Sequence, residues 1–393
     1  MSKNSTTATS ATRRAMMRRL LAIGVAVSAA GAAGGPQSAP RAPSGAAPGG
    51  PVAMLPVENL SDAPAPLAQV HQALRARLLD RGVPLVDDGE LEAFMRRHRL
   101  RHVGGLSRET GRALRSETGA GSALVTSLDL YSDADPPRFA LTARLVASGD
   151  DVRILWMDSA AMAGDEAPGF LGLGRVGAAD EARDLILERI AASLARHLGA
   201  PGARRGQGPG AGRPPGRLGP KSFYRSPAWS PAGPGPVTIA VMPFANESAT
   251  RRAGEILTLQ IVRALASAPG VEVVEPGVVR HELLQARLIQ QEGLSVPQSD
   301  LLKALLDVDL VLFGAVTEYL EGGAAGADPV IDFSARAFDT GRRQVIWSSI
   351  SHGRGNEGVF FFGLGRIATA HRLAAGMARA LVSTFLPAAE GAS

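Results

Sequence analysis

The sequence predicts an α/β protein made of two copies of one domain, each copy an α/β layer sandwich with a mixed sheet. Three observations lead to this class. Two stretches of about 150 residues repeat the same motifs in the same order. Each stretch opens with a short apolar run that ends in proline, as buried strands do. Helical and strand patterns then follow in one shared order, β-α-β-α-α-β-β-β-α.

The repeat is visible in motifs that keep one register. V-A-M-L-P-V-E-N-L-S at 52–61 aligns with I-A-V-M-P-F-A-N-E-S at 239–248. Further matches are Tyr131 with Tyr319, Arg144 with Arg336, and Trp156 with Trp347. The offset drifts only from 187 to 192, and chance does not readily preserve order and spacing over such a length.

Local patterns predict the elements of each copy. The opening run is a strand because proline, which cannot donate to a sheet, stops it. The Asn and Ser of the opening motif are expected to cap the next helix, at Asn59 or Ser61 and at Asn246 or Ser248. The later strands alternate, with one face predicted to be buried, as in Phe139, Leu141, Ala143 and Leu145. In the first copy, the predicted elements are strand 52–56, helix 65–81, short strand 83–86, two helical stretches, strands 122–131, 138–147 and 152–159, and a final helix at 178–198. In the second copy, they are strand 237–243, helix 250–268, short strand 271–274, two helical stretches, strands 309–320, 330–339 and 343–351, and a final helix at 367–386.

The amino-terminal segment is predicted to be an export signal. Basic residues at 13–19 precede an apolar stretch of small residues at 20–33, and Ala30–Ala32 offers a cleavage site. At about 14 residues the stretch is too short for a membrane span of about 20. Arg13 and Arg14 are also compatible with twin-arginine export, so the Sec and twin-arginine routes both stay open. The domain division is signal peptide 1–33, disordered tether 34–51, first domain 52–200, Pro/Gly/Arg-rich linker 201–236, second domain 237–387 and tail 388–393.

Charge and cysteine content exclude several classes of protein. The formal charge is +5, but 1–51 and 201–236 together hold 12 basic residues and no acid. Without these 12, 30 basic residues face 37 acids, a formal charge of −7, which disfavours a nucleic-acid partner. The sequence has no Cys, which excludes disulfides, thiolate metal sites and acylation at a mature amino-terminal Cys. We therefore do not expect a lipoprotein.

The opening motif V-A-x-x-P-[VF]-x-N-x-S, the element order and the terminal helix resemble a known envelope domain. It is shared by CsgG-like curli-secretion subunits, the TolB amino-terminal domain and LpoB-type activators of penicillin-binding proteins. The resemblance covers about 150 residues twice. It implies an envelope protein that binds or assembles partners without catalysis.

We therefore expect an exported, non-enzymatic adaptor or assembly protein, in the periplasm or at the outer-membrane periphery. Its expected partners are envelope proteins, with self-association and peripheral contact with the outer membrane or peptidoglycan kept open. One alternative is a CsgG-like oligomeric outer-membrane secretion channel. Another is an envelope enzyme acting on glycan or nucleotide, for which the sequence holds no G-x-S-x-G elbow or P-loop. No cofactor or metal is expected.

Two glycine-rich loops are candidate partner-binding segments. Each places apolar aromatic residues beside glycines, and such residues are either tucked under the sheet or available to a partner. G-L-G-R-V-G at 172–177 formally matches a dinucleotide fingerprint, but no ribose-binding strand follows it, so the loop is interpreted as a turn into the last helix. The candidate residues are Phe170, Leu171, Gly172, Gly174 and Arg175 in the first copy and Phe360, Phe361, Phe362, Gly363, Gly365 and Arg366 in the second.

A basic cluster, R-R-H-R-L-R-H at 96–102, is the third candidate. Arg99 occupies the place where a zinc-peptidase helix needs a glutamate, so catalysis by a metal is disfavoured. The cluster is interpreted as a solvated helix end, with binding of an anionic glycan, lipid headgroup or partner as the second interpretation. Arg96, Arg97 and Arg99 are the predicted contact residues.

Overall fold

Two mixed β-sheets, one in each repeat, form the frame of the molecule, and the predicted α/β class is confirmed. We call 52–200 the first repeat and 237–387 the second repeat. The computed structural model describes residues 49–101, 103–165, 176–199, 216–229, 235–288, 295–322, 327–357 and 366–386. These residues all belong to one compact unit, Ala46–Ser393.

Sheet 1, in the first repeat, has the order β1-β3-β4-β5, with β2 also paired to β3. β1 and β2 run parallel to β3, and the three long strands form an antiparallel meander. The strands are β1 (Val52–Met54), β2 (Glu58–Asn59), β3 (Ser122–Ser132), β4 (Arg138–Ala147) and β5 (Ile154–Ala163). The helices are α1 (Leu67–Asp80), α2 (Asp88–Arg97), α3 (Arg108–Thr118) and α4 (Ala179–His197).

Sheet 2, in and before the second repeat, has the order β6-β12-β11-β10-β7-β9, with β8 paired to β10. The strands are β6 (Ser222–Arg225), β7 (Val237–Val241), β8 (Ala245–Asn246), β9 (Val271–Val273), β10 (Leu310–Leu320), β11 (Val330–Asp339) and β12 (Gln344–Arg354). The helices are α5 (Ala253–Ala266), α6 (Pro276–Gln285), α7 (Val296–Leu306) and α8 (Ala370–Phe385).

The Asn and Ser of the opening motif do not cap a helix, so this prediction is wrong. Asn59 Oδ1 accepts from the Ser61 amide at 3.0 Å, and Asn59 Nδ2 donates to the Ala63 carbonyl at 2.9 Å. α1 begins six residues after Ser61, at Leu67, with Pro66 at its N-cap. Asn246 makes the same two kinds of bond in the second repeat. Because the amide side chain is used within the loop, it is not free to cap the helix.

The short strand predicted at 83–86 reduces to one bridge, between Leu85 and Val52. Pro84 lacks the N–H that a longer ladder requires, although its carbonyl still accepts from the Val52 amide at 2.8 Å. The second repeat has Glu272 in the matching place, and there a strand, β9, forms.

Helices α5 and α8 form a layer between the two sheets. One face packs on sheet 2, and the same apolar cluster takes in Ile154 and Met157 of β5 in sheet 1. β4 is therefore buried on both faces: Thr142 and Arg144, opposite the predicted buried face, are each 1% exposed. The expectation of one buried face failed here because the second repeat covers the other. On the far sides, α1 and α4 cover sheet 1, while α6 and α7 cover part of sheet 2.

Part of the segment predicted as linker belongs to the folded structure. β6 pairs antiparallel with β12, which extends sheet 2. Leu218 is buried against α8, where a Cβ on Gly376 would lie 2.6 Å from Leu218 Cδ1. Trp229 stacks on Phe385 with ring centroids 5.2 Å apart and planes 4° from parallel. The residues at 216–229 therefore close the second core.

We expect Trp229→Ala to lower the free energy of unfolding by about 3 to 5 kcal/mol, because a buried aromatic is removed from a packed stack. Phe223→Ala is the matched control in the same segment: Phe223 is 51% exposed, and its loss should change stability by about 0.5 kcal/mol or less. Urea unfolding, followed by far-ultraviolet circular dichroism because Trp229 itself is replaced, measures both effects. Equal effects of the two substitutions would contradict the packing role of Trp229.

Candidate functional site

An ion pair buried between the repeats fixes their contact. Arg144 of β4 donates through Nε and Nη2 to the Glu275 carboxylate at 3.0 to 3.1 Å. Arg144 Nη2 also donates to the Gly104 carbonyl at 2.6 Å. The two side chains are 2% and 0% exposed. Glu275 in addition accepts from the Gly277 amide at the start of α6. The ion pair therefore joins β4 and the loop before α3, both bound by Arg144, to the start of a helix in the other repeat.

Two glycines allow the backbones to touch beside this pair. A Cβ on Gly277 would lie 2.2 Å from the Leu106 nitrogen, and one on Gly105 would lie 2.5 Å from Gly277 Cα. A side chain at either position would push the loops apart and lengthen the ion pair. The contact between the repeats therefore requires glycine on both sides.

A second buried polar cluster joins the repeats at the centre of sheet 1. His371 Nε2 lies 3.0 Å from Asp129 Oδ2, 3.0 Å from Ser159 Oγ and 3.2 Å from Gln260 Nε2. Thr142 Oγ1 contacts Asp129 and lies 3.2 Å from Gln260 Nε2. All five side chains are at most 6% exposed.

This cluster contains Ser, His and Asp, but its geometry is not that of a catalytic triad. In a triad the serine and the carboxylate bind opposite ring nitrogens, so that histidine can accept a proton on one side and be oriented on the other. Here Ser159 and Asp129 both bind Nε2 of His371, while Nδ1 is buried without a hydrogen-bond partner among the described residues. Because Ser159 is buried, a substrate cannot reach it. We therefore interpret the cluster as a contact that holds the two repeats together.

Among the described residues, a groove in the first repeat is a candidate ligand site. It lies where the chain leaves β1 at Pro56, beside α2. It has two adjoining parts, of about 490 and 360 Å³, that share Pro56, Glu92 and Met95. The first part is lined in addition by Arg96, Arg99, Leu100 and Arg101. The second is lined in addition by Met54, Val57, Leu67, Ala68, His71, Gln72, Asp88 and Leu91.

The end of α2 sets the shape of the basic part. Asp87 caps the start of α2 by accepting from the Gly89 and Glu90 amides at 2.9 and 3.2 Å. At the other end, the Leu100 amide donates to the Met95 carbonyl at 3.0 Å, which closes a Schellman motif. Arg99 occupies the left-handed position of that motif, at φ 51°, where glycine is usual.

The arginines of this cluster differ in their partners. Arg96 pairs with Glu92 at 3.2 Å, and Arg97 pairs with Glu117. The His98 ring lies 2.6 Å from Glu117, and this hydrogen bond is the main cause that lowers the pKa of Glu117. Arg99 and Arg101 are exposed and have no counter-ion in the described ranges. The groove therefore has an apolar floor and two guanidinium groups without partners on its rim.

Of the predicted site residues, those of the basic cluster lie next to other residues that form a groove. Arg96 and Arg99 line the groove, and Arg97 faces Glu117 on the other side of the helix end. Pro56, Met95 and His71 were missed, since nothing in the local sequence at Pro56 or His71 indicates that they meet α2. Arg101 lay within the recognised cluster but was not selected.

The predicted Phe/Gly loop residues lie outside the described residues, except Arg366. These are Phe170, Leu171, Gly172, Gly174, Arg175, Phe360, Phe361, Phe362, Gly363 and Gly365. Arg366 Nε donates to Asp328 Oδ1 at 2.8 Å. The stems of the two loops match: the Val176 amide donates to Gly164 at 3.1 Å, and the Ile367 amide to Gly355 at 2.9 Å.

Among the residues that the structure describes, no helix is both long and apolar enough to cross a bilayer. The same ranges hold no group of three His, Asp or Glu side chains placed to hold a metal ion.

Comparisons with known proteins give matches among solved structures. No protein-family model and no curated protein sequence matches the chain. A dodecameric PelC variant from Paraburkholderia phytofirmans is 18% identical, over 42% of this chain and 97% of PelC, with a TM-score of 0.30. Lipoprotein GNA1162 from Neisseria meningitidis is 23% identical, over 33% and 88%, with a TM-score of 0.26. The LpoB C-terminal domain from Escherichia coli is 21% identical, over 30% and 85%, with a TM-score of 0.24. LpoB, one of the predicted resemblances, is thus among the matched structures, while the resemblance to CsgG and TolB stays a prediction.

The ion pair between the repeats can be tested by a double-mutant cycle. Arg144→Met leaves Glu275 buried without its partner, and we expect the free energy of unfolding to fall by about 3 to 5 kcal/mol. Arg144→Met with Glu275→Met removes both charges, so the double variant should lose less than the sum of the single variants. Denaturant unfolding of the four proteins gives the coupling. Additive losses would show that the two side chains act independently.

The pKa of the histidine that lines the groove, His71, should lie below its ordinary value. Burial, assisted by Arg75 and opposed by Asp88, lowers the pKa of His71 from its ordinary value of 6.5. As the pH falls below 6.5, the unfolded chain takes up this proton first, so stability decreases until folded His71 is protonated too. NMR titration should place the pKa of His71 below 6.5. His71→Gln should lose less stability than the native chain between about pH 7 and 5, and a steeper loss would contradict the assignment.

Proposed function

We propose that this chain is a non-enzymatic adaptor or assembly protein of the bacterial cell envelope, and that it binds a protein partner at the groove beside α2. One observation carries the proposal: the groove joins an apolar floor to exposed Arg99 and Arg101, which have no counter-ion within the described residues. Neither buried polar cluster is open to a substrate, which favours binding over catalysis.

The chemistry of the groove favours an acidic partner segment with apolar side chains. Met95, Leu100 and Pro56 offer an apolar surface of the kind that takes a methyl-rich or aromatic side chain. Guanidinium groups bind carboxylates through paired hydrogen bonds, and arginine is frequent where a few residues carry most of the binding energy. A segment that places a carboxylate next to an apolar side chain would satisfy both parts of the groove.

The backbone at Arg99 supports a binding role for its side chain. A residue with a Cβ costs roughly 1 to 2 kcal/mol in the left-handed region, and glycine would avoid that cost. Arg287 occupies the equivalent position after α6, at the same φ of 51°, and the Leu288 amide closes the same motif. Arginine is thus present at a strained position in both repeats. In the first repeat, Arg99 lines the groove together with Arg96 and Arg101.

The predicted leader supports a location in the envelope for this activity. A basic segment and a short apolar stretch precede a tether rich in Pro, Gly, Ala and Ser, an order typical of exported proteins with a spacer. We propose the periplasm or the outer-membrane periphery as the location.

Photo-crosslinking in intact cells tests the proposal. A photoreactive amino acid at Met95, in the groove, is expected to give a protein adduct that weakens when Arg99 and Arg101 are both changed to Glu. The adduct is then identified by mass spectrometry, and its binding is measured with purified proteins. The matched control is Arg287→Glu, which reverses the equivalent charge in the second repeat and should leave the adduct intact. An adduct that survives the Arg99 and Arg101 changes would overturn the proposed site.

Arg99→Gly separates binding from stability. Because glycine removes the strain of the left-handed position, we expect the free energy of unfolding to rise by about 1 kcal/mol. Binding of the partner found by crosslinking should fall about tenfold or more, since a partner-facing arginine is lost. Arg287→Gly should give the same gain in stability with unchanged binding. If Arg99→Gly binds as well as the native chain, Arg99 serves only the helix end.

A further inference from the structure

The face of sheet 1 that meets the second repeat is covered, whereas the equivalent face of sheet 2 is open beside α6 and α7, which cover only part of it. In sheet 1, the second repeat places Gln260, His371 and Glu275 against Thr142, Ser159 and Arg144. In sheet 2, Ser334 aligns with Thr142, Ile350 aligns with Ser159, and Arg336 aligns with Arg144. Ile350 is 62% exposed, and Arg336 is exposed without an ion pair among the described residues.

The other half of this interface also has a counterpart, at the start of α2 in the first repeat. Glu275 and Gly277 belong to V-V-E-P-G at 273–277, and the first repeat has L-V-D-D-G at 85–89. Asp87 therefore aligns with Glu275, and Gly89 with Gly277. Gly277 touches the Gly105 backbone, but a Cβ on Gly89 would meet only Asp87 Oδ1. Asp87 caps its helix, as Glu275 does, and its exposed side chain has no arginine partner in the described ranges.

We propose that the open face of sheet 2 binds the first repeat of a second molecule, in the arrangement that the two repeats adopt within one chain. Arg336 of one molecule then pairs with Asp87 of the next, as Arg144 pairs with Glu275. The repeat itself indicates the occupant. The open face of sheet 2 carries Arg336 where sheet 1 carries Arg144, and the first repeat carries Asp87 and Gly89 where the second repeat carries Glu275 and Gly277. The contact is head to tail, so it builds a ring where the rotation closes and a filament where it does not.

This contact is weaker than the one inside the chain. In the second repeat, Ala264 and Ala374 on α5 and α8 are buried, whereas the first repeat has Arg77 and Arg183 at the aligned positions. Arg77 pairs with Asp184 at 3.2 Å, and Arg183 with Asp180 at 2.6 Å. A charged face of this kind is typical of reversible association, so assembly depends on concentration and weakens in salt.

Sedimentation of the full chain tests the contact. We expect the average mass to rise with concentration, and Arg336→Glu to weaken association at least tenfold because two like charges then meet. Asp87→Asn keeps the helix cap and removes the charge, so it should weaken association without unfolding the chain. Arg336→Glu combined with Asp87→Lys restores an opposite pair and should regain association. Arg112→Glu, at an exposed position of α3, is the control for the change in net charge and should have no effect.

Crosslinking gives an independent result, because the chain has no cysteine of its own. An Arg336→Cys chain mixed with an Asp87→Cys chain should yield a dimer with a short bismaleimide, and an Arg336→Cys chain mixed with an Arg112→Cys chain should not. The proposal is overturned if the native chain stays monomeric up to its solubility limit. It is also overturned if the Arg336→Glu chain self-associates as strongly as the chain with both Arg336→Glu and Asp87→Lys.

Discussion

Arg144 and Glu275 meet where neither side chain reaches water, and this pair constrains how the two repeats fit together. Each charge requires the other, because an ion buried without a partner costs far more than a paired one. The pair forms only if the Gly105 and Gly277 backbones touch, and that approach brings His371 and Gln260 over Asp129. The buried pair therefore specifies one relative position of the repeats, and the apolar cluster between the sheets supplies the area that holds it.

Much of the fold could be predicted from local sequence. The predicted strand at 138–147 is the observed Arg138–Ala147, and the predicted helix at 178–198 differs from α4 by one residue at each end. What failed depended on distant contacts. Nothing near β4 indicates that Thr142 and Arg144 are covered by Gln260 and Glu275, which lie more than 100 positions further along the chain. The pairing of β6 with β12 was equally hidden, because its segment has the composition of a linker.

The candidate site could be predicted only in part, for the same reason. A run of arginines is visible in the sequence, so Arg96 and Arg99 were found. The apolar floor is not visible, because Pro56 and His71 reach α2 only after the sheet has formed. The cluster of Asp129, Ser159 and His371 was missed, since its members lie up to 242 positions apart and each is an ordinary residue in its own element.

The contrast between the two helical faces limits how the gene for this protein can change. After a duplication, recombination between the copies tends to make them alike. Here that exchange would carry the charges of Arg77 and Arg183 into the layer between the sheets, or the buried apolar surface of α5 and α8 to the outside. The first exchange would bury charged side chains, and the second would expose an apolar surface. The two halves are therefore no longer interchangeable, and their order along the chain has become part of what selection must preserve.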